Sequence, residues 1–225
     1  MADALVSLEA SDVFGLGGSF IAQSASKSTD LAHAKMKKAN GDYEKFSTTF
    51  DQIENISVVY KFNSDTGLGA ALPEVGSVNN AYIVTGLDIS TTFDDYPEIT
   101  VTGHQHEANA HEAGNTYAIS DAIQTIMTGA VGAYDFAGEA GDPVCTQSST
   151  YSLTVNHIDD NCDAGDHWVG TNIEGMESIT VNYIGNITSS PAPAGFTLTN
   201  YSYDDSNEAH DVSSMSAEAL VVRTA

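Results

Sequence analysis

Ile56, Val58, Tyr60 and Phe62 alternate with Ser57, Val59, Lys61 and Asn63, the period of two that turns one face of a strand toward a core. The same alternation predicts strands over 81–92 and 98–104, joined through Asp94-Asp95-Tyr96-Pro97, and further strands over 151–157, 178–183, 195–203 and 217–222. Three of these share one signature: Ile99-Thr100-Val101-Thr102, Leu153-Thr154-Val155-Asn156 and Ile179-Thr180-Val181-Asn182. The helical period is confined to two places. Ala32, Met36 and Ala39 recur at i, i+4 and i+7 between a capping Ser28-Thr29-Asp30 and a terminating Gly41, which predicts a short helix over 29–40. Ser120, a good N-cap, followed by Asp121, Ile123, Ile126 and Met127, predicts a second helix that weakens toward Gly129 and Gly132.

The expected fold class is therefore mainly β: an antiparallel β-sandwich, barrel-forming subunit with one or two short α-helices. Residues 1–27, rich in Gly, Ser and small apolar side chains, read as an N-terminal arm, and 28–225 as a single β-sandwich domain. Residues 64–80, rich in Gly and Ser with Pro73, read as a long loop and a candidate contact arm, since loops beyond about twelve residues inside a compact domain are usually functional or disordered. With 225 residues, 41% of them hydrophobic, the chain has enough apolar surface to bury a core.

Charge changes this picture most. The chain holds 31 Asp and Glu against 7 Lys and Arg, a net charge of −24. The six lysines all lie within 27–61, and the arginine is Arg223. A field of this size destabilises a compact state unless salt, bound cations or a dedicated use absorbs it. Conventional DNA binding is disfavoured, because affinity for phosphates comes from Lys and Arg. The N-terminus lacks the basic and apolar regions of a signal peptide, which predicts no export. The longest apolar-leaning stretch, 122–134, falls short of the roughly twenty residues that cross a bilayer, so no membrane association is expected. Cys145 and Cys162 are expected as free thiols, since two cysteines make no disulfide framework.

Candidate chemistry is sparse. Gly15-Leu16-Gly17-Gly18 lacks the remaining residues of a dinucleotide or P-loop fingerprint. No nucleophile elbow is present, and the paired carboxylates Asp94-Asp95 and Asp204-Asp205 are adjacent, so they point to opposite faces of an extended chain. The expectation is a protein that is not an enzyme and has no cofactor. His104, His106 and His111 form the candidate metal site, because histidines at i and i+2 on a strand share one side and neutral imidazoles ligate zinc, iron or nickel. Gly103-His104-Gln105-His106 with Glu112 resembles the first motif of cupins, but the glycine is adjacent to His104, Glu112 is displaced, and no second motif follows. Asp159, Asn161 and Asp163 match the first ligands of an EF-hand loop, but Ala164 and Gly170 stand where its glycine and bidentate glutamate belong. An acidic turn is the plainer expectation there.

The stretch Tyr96-Pro97-Glu98-Ile99-Thr100-Val101-Thr102-Gly103-His104-Gln105-His106, with 153–169 and 173–183, resembles structural proteins of tailed bacterial viruses, in particular tail tube proteins. The resemblance implies a virion structural protein, assembled in the host cytoplasm and located in the virion. Six copies would form a ring, rings would stack into a tube beside other virion proteins, residues 64–80 would serve as the stacking loop, and DNA would pass an acidic lumen without specific binding. The alternatives are an acidic, halophilic metal- or calcium-binding β domain and a capsid decoration protein.

Overall fold

A computed structural model describes residues 13–31, 34–47, 52–63, 72–106, 115–127, 131–137, 145–161, 167–185, 192–204 and 212–221. Within these the chain is mainly β and antiparallel, with a sandwich-like arrangement. Strands β1 (Phe20–Leu31), β4 (Gln52–Phe62), β6 (Tyr82–Thr92), β7 (Glu98–His106), β8 (Cys145–Asn161), β9 (His167–Ile184), β10 (Thr197–Asp204) and β11 (Val212–Val221) form one sheet. Its order is β1-β4-β7-β6-β8-β9-β11-β10, with the two-residue β5 (Val78–Asn79) added against β6. The sheet is open: β1 and β10 are its two ends and do not pair with each other, so the subunit is not a closed barrel. Strands β2 (Ala34–Lys37) and β3 (Tyr43–Ser47) form a separate two-stranded sheet.

Alternation accounts for the core. Ile56, Val58, Tyr60 and Phe62 of β4 are buried, as are Ile99 and Val101 of β7, Tyr151 and Leu153 of β8, Ile179, Val181 and Tyr183 of β9, and Met215 and Ala217 of β11. The three strands with a shared signature therefore turn the same apolar positions inward, and register aligns Ile99, Ile89, Tyr151, Ile179 and Ala217 across five strands. The inner face is covered by residues 13–19, 72–79, 115–127 and 131–137, which contribute Phe14, Leu16, Val75, Tyr117, Ile119, Ile123, Met127 and Phe136 to the same cluster.

The helix expected over 29–40 is not formed. Residues to Leu31 continue β1, paired from Phe20↔Phe62 to Leu31↔Gln52, and 34–47 make the β2–β3 hairpin. The reason lies in Asn40-Gly41, a stronger hairpin signal than the spacing of two alanines and a methionine. Gly41 takes φ +92°, Gly41 N–H donates to Lys38 O at 2.9 Å and Lys38 N–H to Asp42 O at 2.8 Å. The second helix forms as α1 (Asp121–Ile126), with Ser120 at its N-cap.

Strand β1 runs through Lys27, where the sequence boundary of the arm falls, and Phe14, Leu16 and Phe20 upstream of it are core residues. Of the expected loop over 64–80, residues 64–71 lie outside the described residues. The remainder is anchored: Val75 is fully buried and exchanges two backbone hydrogen bonds with Tyr117, at 2.9 and 2.8 Å.

Candidate functional site

His104 and His106 lie near the end of β7 on one side of it, as their i, i+2 spacing requires, with ring centroids 5.4 Å apart and planes at 82°. Register places Asn55 and Ile83 beside His104 and Ile53 beside His106, so the strands flanking them contribute an amide and two aliphatic side chains rather than a carboxylate. His106 is buried. His111 lies outside the described residues. Among the described residues no three His, Cys, Asp or Glu side chains converge on a common point, and two imidazoles alone do not close a tetrahedral set. Asp159 and Asn161 sit on β8, paired with Gly170 and His167 of β9. That is an extended ladder, whereas an EF-hand needs a tight turn there. Residues 162–166, including Cys162 and Asp163, lie outside the described residues, and Cys145 is an exposed free thiol.

A polar knot closes the inner face at the same end of the sheet. The Glu54 carboxylate accepts at Oε1 from Lys27 Nζ at 2.6 Å, from Gln105 Nε2 at 3.0 Å and from the Tyr82 hydroxyl. Burial opposes ionisation of Glu54, but hydrogen bonds from Lys27, Tyr82 and Gln105 and the Lys27 charge outweigh it and hold the carboxyl below its usual value. Burial, together with the bond to Glu54 and its charge, pushes the Tyr82 hydroxyl well above the usual tyrosine range.

The opposite face of the sheet is an array of hydroxyls. One cross-strand row reads Ser216, Thr180, Thr150, Ser90, Glu98 and Lys61, and the next reads Glu218, Ser178, Ser152, Asp88 and Thr100. Cross-strand neighbours on this face bond to each other: Thr180 Oγ1 and Ser216 Oγ lie 3.1 Å apart, and in the adjoining row Asn182 Nδ2 donates to Ser148 Oγ at 3.0 Å. Toward the β1 end this face dips into a trough of about 270 Å3 lined by Ser26, Ser28, Asn55, Ser57, Thr85 and Thr102. Lys61, the cation of the first row, is ion-paired with Asp95. A surface of this kind is wet and offers phosphates almost no positive charge. Sequence reasoning found the strands but not this face, although its signal was present in the Ser and Thr that fill their outward positions.

The ends of the sheet differ in charge. Lys27 and Lys61 lie on β1 and β4 and four more lysines on β2, β3 and the turn between them, whereas β8, β9, β10 and β11 contain neither Lys nor Arg. All eight residues of β10 are exposed. No protein-family model matches the sequence, and a comparison with curated proteins finds no significant similarity.

Proposed function

We propose that this protein is a virion structural subunit of the tail tube kind, located in the virion, non-enzymatic, whose copies join edge to edge into six-membered rings that stack around a passage for DNA. One observation carries the reading. Among the described residues the sheet is open, β1 and β10 are its end strands, and β10 is exposed along its whole length. End strands of this kind are templates for another chain, and natural proteins ordinarily blunt or cover them. β1 and β10 are different strands, so their pairing between copies is head-to-tail, the geometry that generates rings when the rotation closes.

The hydroxyl face supports the same reading, as the wall of the passage. Duplex DNA touching Ser, Thr and Asn with scattered carboxylates at Asp88, Glu98 and Glu218 gains little attraction, and the rest of the −24 charge repels it. The wall is accordingly more hydroxylated than acidic.

The test is a pair of lysines on the exposed edge, Asn200→Lys with Ser202→Lys, followed by sedimentation velocity and far-UV circular dichroism. The reading expects an oligomer for the unaltered protein and a monomer with an unchanged spectrum for the variant. A monomer for the unaltered protein at every concentration and salt, or a variant that assembles as well as its parent, would remove the edge-pairing basis of the proposal.

A further inference from the structure

The β2–β3 hairpin is chemically unlike the body that carries it. It holds four of the six lysines, Lys35, Lys37, Lys38 and Lys45, against Asp42 and Glu44, and each of these six side chains is exposed. Among the described residues its strands pair only with each other. A two-stranded hairpin is marginally stable in water by itself and gains order when it packs on something else. Its turn is well made, with Asn40 Oδ1 accepting from Asp42 N–H at 3.2 Å and Asn40 Nδ2 donating to Asp42 Oδ2 at 2.7 Å. Exposed lysines on a defined turn present positive charge in a chain whose net charge is −24.

The complementary surface is in the same chain but at the other end of the sheet, where β8, β9, β11 and β10 carry no cation. Asp204 closes β10, and Glu218 of β11 pairs with Thr197 at the other end of that strand; both are exposed. From the charge complementarity we infer that the β2–β3 hairpin is a basic arm that docks on the acidic β10–β11 end of a second copy of this chain. The inference rests on the self-assembly proposed above and deepens it. The hairpin follows β1 in the chain, so pairing of β1 with the β10 of a neighbour carries the arm to Asp204 or to Glu218, according to the direction of the pairing. Opposite charges placed this way guide encounter and fix register. They also exclude the reversed association, in which two acidic ends meet.

The experiment uses the full chain with the four arm lysines reversed, Lys35→Glu, Lys37→Glu, Lys38→Glu and Lys45→Glu, and a second variant that adds Asp204→Lys and Glu218→Lys. Assembly is followed by light scattering against protein concentration, and circular dichroism confirms the fold. Reversing the four arm charges turns attraction to Asp204 or Glu218 into repulsion and should raise the concentration for half-assembly by about tenfold or more, and the second variant should recover most of that loss. If the unaltered protein assembles and the arm variant assembles equally well, the arm inference is wrong and edge pairing survives. If the unaltered protein does not assemble at all, both fall. Retention of duplex DNA at low salt by the unaltered protein, lost in the arm variant with assembly unaffected, would overturn the inference in favour of a nucleic acid as the occupant.

Discussion

Tyr151 donates its hydroxyl to Glu177 Oε1 at 2.5 Å in the interior, and the same oxygen accepts the Ser120 N–H at 3.0 Å. Glu177 is 4% exposed. It ties the start of α1 to the sheet, so a carboxylate inside the core fixes how the covering segments sit. Removing it leaves the buried Tyr151 hydroxyl and the part-buried Ser120 N–H without their acceptor. Glu177→Ala should therefore cost roughly 2–4 kcal/mol in urea unfolding, while Tyr151→Phe, which removes one donor, should cost about 1–2 kcal/mol. Equal losses for the two would mean that Ser120 gains nothing from the carboxylate.

Two tyrosines and one glutamate contribute to the pH dependence of stability. Burial first, then the charge of Glu177 and the bond to it, push the Tyr151 hydroxyl far above its ordinary 10.0, and Tyr82 is raised for like reasons. The folded hydroxyls thus titrate higher than the unfolded ones, so their contribution is complete below pH 10 and is lost as pH rises above it. Glu54 is held below its ordinary 4.5, so its contribution is complete above that pH and is lost as pH falls below it. Melting temperature should show an alkaline fall that flattens in Tyr151→Phe and an acid fall that flattens in Glu54→Gln. Unchanged slopes in both variants would contradict these assignments.

Gly175 lies against the ring of Tyr117: a Cβ there would stand 2.8 Å from Cδ1 and 3.0 Å from Cγ. Tyr117 is fully buried and bonded through its backbone to Val75, so it has little room to retreat. Gly175→Ala should destabilise the fold by about 1–3 kcal/mol through overpacking, measurable in chemical denaturation. A neutral or stabilising result would show that the 115–127 segment shifts freely on the sheet.

The histidines give a fourth test. Lacking a third ligand among the described residues, His104 and His106 should not anchor a structural metal, and a chelator should leave the melting temperature unchanged. A large fall, with stoichiometric metal in the untreated protein, would place the missing ligands in the segments beyond them.

Strand identity was legible in the sequence because it is local: the apolar positions of β4, β7, β8 and β9 keep strict alternation, and Ser120 marks the start of α1. Order in the sheet was not, because it depends on pairings far apart in sequence, such as Phe20 with Phe62 and Gly86 with Thr154. Over 29–40 the Asn40-Gly41 turn overrides the alanine spacing, and a hairpin forms in place of a helix. The anchoring of Val75 within 72–79 is not local either, because it depends on a partner, Tyr117, more than forty residues away. Of the candidate site, the shared side of His104 and His106 followed from their spacing, but their neighbours Asn55, Ile53 and Ile83 come from other strands.

If open edges make this chain an assembling subunit, negative-stain electron microscopy of the purified protein will show the assembly. Rings with sixfold symmetry, alone or stacked, are expected, with a central passage that excludes added duplex DNA at low salt rather than binding it. A uniform field of single 23.7 kDa particles at all concentrations would contradict it.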